Sequence, residues 1–172
     1  MNPESPESID DTIAVLFVCL GNICRSPLAE GVFLDLLEQE EVAHRFRVDS
    51  AGTGAYHVGE SPDPRSVDVA RRNGITLRGR ARQVETSDFR TFDYVLAMDR
   101  SNLQSLESLA SRHAGGARLH LLREFDSEAG EGADLDVPDP YYGGEDGFDV
   151  VYRMVDRSCR TLLERIRDEH GL

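Results

Sequence analysis

A short apolar segment, followed by a glycine-containing loop and an amphipathic stretch, constrains the fold of this chain most. Residues 13–18 are apolar and rich in β-branched side chains, which is typical of a central strand buried on both faces of a sheet. The loop from Cys19 to Arg25 follows, and then Ser26 and Pro27, which predict a helix capped by Ser26. Apolar residues recur at helical spacing from there to about Gln39.

The rest of the chain alternates between strand-like and helix-like segments, the order of a mostly parallel sheet with helices packed on it. The last helix places Cys159 on its apolar stripe, so we interpret this thiol as core packing. Residues 124–147 form a long acidic loop, and such a loop inside a compact domain suggests a function. Further strands are expected near residues 46–49, 94–97 and 118–122, and further helices near 63–74, 99–112 and 151–166.

The charge of the chain limits its partners. The sequence has 32 acidic residues against 19 basic ones, all arginine, and a net charge of −13. Nucleic acids and anionic membrane surfaces both attract clustered positive charge, so neither is an expected partner. The longest apolar run, residues 13–20, is far shorter than the roughly 20 residues of a membrane-spanning helix. Residues 1–11 are acidic and unlike a signal peptide, which predicts a cytoplasmic protein with a short disordered acidic leader.

The same composition suggests a habitat and a redox state. An acidic surplus with arginine as the only strong cation suits a protein kept hydrated in concentrated salt, where repulsion among carboxylates is screened. A genome rich in G and C would also favour arginine codons, so both explanations stay open. The three cysteines are an odd number and cannot all pair within one chain, so reduced thiols are expected.

The loop from Cys19 to Arg25 has the features of an anion site. A strand ends before it and a helix begins after it, so backbone N–H groups and the positive end of the helix converge on one point. This field favours the thiolate form of a cysteine in the loop. Arg25 can fold back and hold two phosphate oxygens with its planar guanidinium. Cys19 is therefore predicted to be a nucleophile that attacks phosphorus.

A second segment offers the proton donor that such a nucleophile needs, because efficient expulsion of a phenolate requires an acid. Asp139 lies in the long acidic loop between Pro138 and Pro140, which stiffen the backbone, and Tyr141 and Tyr142 follow. We expect Asp139 to be the general acid. Were the segment seen alone, an Asp-Pro turn with packed tyrosines would be the simpler interpretation.

Several segments in combination resemble the successive motifs of the low-molecular-weight protein tyrosine phosphatases. They are residues 19–27, 49–53, 61–65, 81–83, 98–103 and 139–143. The resemblance runs from about Ile13 to the last helix. It implies a single domain over residues 12–172, a three-layer sandwich with a central four-stranded parallel sheet and helices on both faces. It also implies a two-step reaction that uses no metal and no other cofactor.

The resemblance assigns the chemistry to a few residues. Cys19 would attack the phosphoryl group, Arg25 would bind its equatorial oxygens, and Asp139 would protonate the tyrosyl oxygen. Water would then hydrolyse the phosphocysteine, with Asp139 acting as base. The expected substrates are proteins that contain phosphotyrosine, with a tyrosine kinase as one candidate, and the expected state is a monomer or a weak dimer.

The resemblance also implies how the loop is supported. Ser26 would hydrogen-bond the Cys19 thiolate. Asn22, a residue type that tolerates a left-handed backbone, would shape the loop with support from Ser50. The family often places a histidine in this network, where this chain has Gly79 or its neighbours. The residues expected to bind phosphate and support the loop are Leu20, Gly21, Asn22, Ile23, Cys24, Ser26 and Ser50.

Aromatic and apolar residues would form the substrate cleft. Tyr141 and Tyr142 would wall a slot for a flat ring. Tyr56 lies where many relatives carry a bulky residue on the opposite wall, and its alternative is packing on its own turn. Leu20 and Ile23 would be exposed at the mouth of the cleft.

Two further residues have a structural or a regulatory interpretation. Asp99 is predicted to be a helix N-cap rather than a catalytic group. The resemblance suggests a reversible disulfide between Cys19 and Cys24 that forms under peroxide and protects the nucleophile. The alternative for Cys24 is a small residue that fills the loop.

Two rivals share the resemblance. A thiol-dependent arsenate reductase would need further cysteines to relay a disulfide, and residues 78–92 contain none. Protein-arginine phosphatases carry a threonine where Ile23 stands and lack the paired tyrosines, so Ile23, Tyr141 and Tyr142 favour phosphotyrosine as the substrate.

Functions from other classes fit less well. A Cys–His hydrolase could use His57, His113 or His120 as its base, but it would leave Arg25 without a purpose. The C-x4-C spacing with no second ligand pair is poor for zinc. A phosphotyrosine-binding module without catalysis would need to have lost Cys19 or Asp139, and both are present.

Overall fold

A four-stranded parallel sheet forms the middle layer of the protein, in the order β2-β1-β3-β4. The computed structural model describes residues 12–112 and 115–172, so the predicted leader, residues 1–11, and His113 lie outside the described residues. All seven residues of β1 are buried, as its uninterrupted apolar sequence predicts. The strands are β1 (Ile13–Cys19), β2 (Phe46–Gly52), β3 (Tyr94–Ala97) and β4 (Arg118–Leu121).

Helices cover both faces of the sheet. They are α1 (Arg25–Gln39), α2 (Pro64–Arg72), α3 (Asp88–Thr91), α4 (Arg100–Ala110) and α5 (Glu145–His170). Alternate residues of β1 point to opposite faces: Phe17 joins the core that includes α1, α2 and α5, whereas Leu16 joins the core that includes α3 and α4. Cys159 is fully buried in the first of these cores, as predicted. The predicted three-layer sandwich is confirmed.

The boundaries differ from the sequence prediction in several places. Helix α5 spans Glu145–His170 and not only 151–166, with Gly144 as its N-cap residue, so the predicted loop over residues 124–147 is shorter than expected. The short helix α3 was not predicted. Strand β2 continues to Gly52, because residues 50–52 keep pairing with the end of β1. Strand β4 ends at Leu121, since a 3-10 turn over Leu122–Phe125 follows it. Among the described residues, no helix is long and apolar enough to cross a bilayer.

A further difference concerns the start of α1. The helix begins at Arg25 with Cys24 as its N-cap residue, so the prediction that Ser26 caps a helix beginning at Pro27 is wrong. The reason is that the Ser26 hydroxyl is bonded elsewhere: it accepts a hydrogen bond from Asn22 Nδ2 and contacts the sulfur of Cys19. The helix N-terminus is thereby joined directly to the preceding loop.

Candidate active site

The loop between β1 and α1 is held through its carbonyl oxygens. Four of them accept hydrogen bonds from groups outside the loop, at 2.8 to 3.2 Å. The pairs are Thr53 N to Cys19 O, Gly54 N to Leu20 O, Asp63 N to Ile23 O, and Ser66 Oγ to Cys24 O. Within the described part of the chain, the amides of Gly21, Ile23 and Cys24 have no backbone acceptor. These donors, with the N-terminus of α1, are available to an anion.

Two backbone positions make this loop possible. Asn22 has a φ of +57°, the left-handed conformation that asparagine tolerates better than most residues. Gly52, at the end of β2, lies directly against the loop: a Cβ there would sit 2.6 Å from the carbonyl oxygen of Leu20. A side chain at position 52 would therefore push the loop away from the sheet.

The sulfur of Cys19 lies at the carboxyl end of β1 and is buried. The Asn22 amide donates a hydrogen bond to it at 3.3 Å, and the Ser26 hydroxyl lies 3.0 Å from it. The nucleophilic form of a cysteine is its thiolate, and both groups are placed to donate a hydrogen bond to one.

Arg25 is almost fully enclosed, with 3% of its side chain exposed. Its Nη1 donates to Asp99 Oδ2 at 2.7 Å and to the carbonyl of Val137 at 3.0 Å. Burial lowers the pKa of the guanidinium, but Cys19 and the two carboxylates outweigh that effect and raise the pKa above its ordinary value. Arg25 is thus a fixed cation at the edge of the loop.

Asp99 has two tasks, of which the sequence predicted one. Its Oδ1 accepts from the Asn102 amide at 2.8 Å, so the predicted N-cap of α4 is confirmed. Its Oδ2 orients Arg25, and this task had no sequence signal, because the two residues are 74 positions apart.

Asp139 lies beside Arg25 on the long loop, with 41% of its side chain exposed. Its Oδ1 accepts from the Tyr141 amide at 3.1 Å, and its Oδ2 lies 3.5 Å from Arg25 Nη2. The structure thus brings Asp139 into the same cleft as Cys19 and Arg25, across more than a hundred residues of sequence. The cleft has a volume of about 410 Å³ and is lined by Cys19, Leu20, Gly21, Ile23, Cys24, Arg25, Tyr56, His57, Asp139, Tyr141 and Tyr142.

The aromatic residues of the cleft stand at its rim. Tyr141 and Tyr142 contact edge to face, with ring centroids 4.8 Å apart, and Tyr142 is 94% exposed. Tyr56 is 79% exposed, and its ring also covers Gly54, so it lines the cleft and packs on its own turn. Leu20 is exposed as expected.

The expectation that Ile23 is exposed at the mouth of the cleft is wrong. Ile23 lines the cleft but is only 8% exposed, because its side chain belongs to the hydrophobic core beneath the loop. Its place in a loop suggested exposure, and the loop is in fact closed over the core.

His57 is a cleft residue that the sequence analysis did not assign. Its ring lies 6.1 Å from that of Tyr141, and a Cβ at Gly21 would come within 2.9 Å of its Cδ2. Its Nδ1 pairs with Glu60. His120 instead pairs with Glu124, and it does not line the cleft. No spacing in the sequence distinguishes these histidines.

A polar network behind the loop holds Asn22. Its Nδ2 donates to Ser26 Oγ at 2.8 Å and to Ser50 Oγ at 3.0 Å, and its Oδ1 accepts from the Arg82 amide at 3.0 Å. Ser50 in turn donates to Glu30 Oε1 at 3.3 Å. Arg82 and Glu30 are therefore the supports that the sequence analysis left unidentified.

Cys24 is buried, and burial disfavours its thiolate form. Burial raises the pKa of Cys24 to about 12, with further increases from Asp63, Cys19 and Asp139. The disulfide between Cys19 and Cys24 stays a prediction. Among the residues that the structure describes, no group of three His, Cys, Asp or Glu side chains is placed to hold a metal ion.

Comparison with known proteins identifies one family over nearly the whole chain. The family model described as low molecular weight phosphotyrosine protein phosphatase matches residues 14–171. A low molecular weight phosphotyrosine protein phosphatase of Sus scrofa is 43% identical over 157 residues, which cover 91% of this chain and 97% of the relative.

Solved structures agree with that result. A protein tyrosine phosphatase of Entamoeba histolytica has a TM-score of 0.81 at 36% identity, covering 93% of this chain and 99% of that one. A Drosophila arginine phosphatase has a TM-score of 0.84 at 33% identity, covering 89% of this chain and 97% of that one.

Proposed function

The chain belongs to the low-molecular-weight phosphotyrosine protein phosphatase family, a family of phosphoric monoester hydrolases, and we propose that Cys19, Arg25 and Asp139 carry its reaction. One observation supports the assignment above the others. The buried sulfur, the fixed guanidinium and the carboxyl group line one cleft, at the point where loop amides and the N-terminus of α1 converge.

In the first step, the sulfur of Cys19 attacks phosphorus while the bond from phosphorus to the tyrosyl oxygen breaks. The loop amides and the guanidinium of Arg25 hold the equatorial oxygens, and this binding strengthens as negative charge spreads over them. Asp139 gives its proton to the departing tyrosyl oxygen. The products are free tyrosine side chain and a phosphocysteine at position 19.

In the second step, water attacks the phosphocysteine from the side that the tyrosine has left. Asp139, now ionised, removes a proton from this water, the sulfur–phosphorus bond breaks, and inorganic phosphate forms. Ser26 and the Asn22 amide donate to the departing sulfur, at 3.0 and 3.3 Å. The same two donors therefore assist both steps, because each step has an anionic sulfur at one end.

The proposed substrates are proteins that contain phosphotyrosine. Tyr56, Tyr141 and Tyr142 stand around the mouth of the cleft, where aromatic rings can contact a flat substrate ring. Because the Drosophila relative is named an arginine phosphatase, phosphoarginine is the second candidate. We further propose that the protein acts in the cytoplasm, as a monomer or weak dimer, with a tyrosine kinase as one candidate substrate.

The proposal is tested with aryl phosphate hydrolysis and with two matched peptides, one carrying phosphotyrosine and one phosphoarginine. Cys19→Ser should show no turnover, and Asp139→Ala should lose a factor of about 10² to 10⁴. Cys24→Ser is the control for a thiol in the same loop and should stay active. An active Cys19→Ser protein would exclude the mechanism, and preference for the phosphoarginine peptide would exclude the proposed substrate.

A further inference from the structure

The network behind the phosphate loop ends in a carboxylate that the proposed mechanism does not use. Glu30 on α1 accepts a hydrogen bond from Ser50 Oγ at 3.3 Å, and Ser50 Oγ accepts one from Asn22 Nδ2 at 3.0 Å. The same Nδ2 donates to Ser26 Oγ at 2.8 Å, and Ser26 Oγ lies 3.0 Å from the sulfur of Cys19. An unbroken series of contacts thus connects Glu30 with the nucleophile.

The direction of each hydrogen bond follows from the donors that are available. The Asn22 amide is oriented because its Oδ1 accepts from the Arg82 amide at 3.0 Å, which turns Nδ2 toward the two serines. A serine hydroxyl carries one hydrogen, and both serines accept from Nδ2. Each serine must therefore donate its own hydrogen elsewhere: Ser50 donates to Glu30, and Ser26 has the sulfur of Cys19 and the carbonyl of Ala51 as acceptors.

The Ser26 hydrogen has a competing acceptor. The carbonyl of Ala51 lies 3.4 Å from Ser26 Oγ, farther than the sulfur of Cys19 at 3.0 Å. A small movement of the Asn22 amide would let the hydroxyl turn from the sulfur to this carbonyl. What holds Asn22 therefore decides where the Ser26 hydrogen points.

We propose that Glu30 is a positioning residue for the phosphatase reaction: by accepting the Ser50 hydrogen it fixes the Asn22 amide, and through it the Ser26 hydrogen on the Cys19 sulfur. The inference rests on the proposed role of Cys19. It depends on the direct contact between Glu30 and Ser50.

The protonation state of Glu30 matters for this contact. An ionised carboxylate accepts a stronger hydrogen bond than a protonated one. Burial raises the pKa of Glu30 to about 7, Asp49 on β2 adds to the increase, and the hydroxyl of Ser50 and the guanidinium of Arg82 oppose it. The contact with Ser50 should therefore strengthen as the pH rises through neutrality.

The charges around Glu30 come from several elements. Arg82 forms salt bridges with Asp49 at 2.9 Å and with Asp88 at 3.0 Å. These two carboxylates largely neutralise its charge, so Arg82 stabilises the ionised form of Glu30 only weakly. A groove of about 410 Å³ lies on the outer side of Glu30. The charged residues that share this groove with Glu30 are Asp35, Glu38 and Arg78.

The test compares wild type with Glu30→Gln, which keeps the shape and an acceptor oxygen but has no charge. The measured quantity is kcat/KM of wild type divided by kcat/KM of Glu30→Gln, with an aryl phosphate as substrate. The substrate and the other titratable groups ionise in the same way in both proteins, so their effects cancel in this ratio. The ratio should rise about fivefold between roughly pH 5.5 and pH 8.5, with its midpoint near neutrality. Glu38→Gln, on the same helix and groove, is the matched control and should give a constant ratio. A constant ratio for Glu30→Gln would overturn the proposal.

A double-mutant cycle supplies an independent readout. Glu30→Leu and Ser50→Ala should each lower kcat/KM about tenfold, and the double variant should lose no more than either one. If the losses in kcat/KM of the two single variants multiply in the double variant, Glu30 does not act through Ser50. Unfolding in urea checks that all three variants are folded. If Cys19→Ser retains activity, the proposed function fails; if it is inactive while the ratio stays constant, only the role of Glu30 fails.

Discussion

Replacing Asp99 with asparagine separates the two tasks of its carboxylate. Oδ1 caps α4 by accepting from the Asn102 amide at 2.8 Å, and Oδ2 holds Arg25 Nη1 at 2.7 Å. Asparagine caps a helix about as well as aspartate does. Because its single oxygen is used for the cap, its NH2 group faces Arg25 Nη1, which is also a donor. The variant should therefore keep α4 intact and lose the hydrogen bond to Arg25.

The magnitude follows from the enclosure of this pair. The side chains of Arg25 and Asp99 are 3% and 20% exposed, so water screens their interaction only weakly. A hydrogen bond to a charged group contributes about 1.5–3 kcal/mol. Losing it should thus cost about 1.5 to 3 kcal/mol, or about ten- to 150-fold in an equilibrium that depends on the orientation of Arg25.

Inhibition by inorganic phosphate measures that orientation directly, because phosphate is held by Arg25 without any chemical step. Phosphate should bind Asp99→Asn at least about tenfold more weakly, with kcat/KM reduced to a similar extent. Asp99→Ala should show a comparable effect on phosphate and lose about 1 kcal/mol more in the free energy of unfolding, because the cap is also lost. Unchanged or tighter phosphate binding in Asp99→Asn would refute the reasoning, since Asp99 would then compete with phosphate for Arg25.

Three further predictions concern stability and oxidation. The pKa of Asp126 is lowered to about 2, because hydrogen bonds from Arg157, the Glu128 amide and Arg123 outweigh the effect of burial. The ionised carboxylate of Asp126 therefore stabilises the fold above its ordinary pKa, and this stabilisation is lost as the pH falls toward 2. Asp126→Asn should therefore cost about 3 kcal/mol in urea unfolding at neutral pH, and a difference from wild type that does not shrink in acid would contradict this. After peroxide treatment, Cys24→Ser should not regain phosphatase activity when thiol is added. Because burial raises the pKa of Cys24 to about 12, the protective disulfide in wild type should form slowly. Equal recovery of activity in both proteins would exclude the disulfide. The net charge of −13 predicts that the urea midpoint rises with KCl up to molar concentrations, and a flat curve would remove the argument for a high-salt habitat.

The sheet and most element boundaries could be predicted because they depend on local patterns. Strand β3 is found at the predicted residues, 94–97, within an apolar run that lies between Asp93 and Asp99. The start of α1 was mispredicted for a physical reason. Ser26 followed by Pro27 has the local pattern of a helix start, but its hydroxyl is bonded to Asn22 and the nucleophile instead of to the helix backbone.

The candidate site was predictable where its residues form a motif and unpredictable where they converge from distant elements. Cys19 and Arg25 share one loop, so their spacing identifies them. Glu30, Arg82 and Asp99 support that loop from α1, a connecting segment and the start of α4, and their local sequences are ordinary for charged residues. Only the folded chain brings these side chains to the site.

The most direct test of the central claim is to trap the covalent intermediate. Wild-type enzyme is mixed with an aryl phosphate and quenched within the first turnovers, at a pH that preserves the sulfur–phosphorus bond of phosphocysteine. The protein is then digested, and its peptides are examined by mass spectrometry. The account predicts one phosphoryl group on the peptide that contains Cys19, and none on that peptide in Cys19→Ala, which has no nucleophile at this position. A phosphoryl group on another residue, or normal turnover with no phosphorylated peptide at any time, would contradict it.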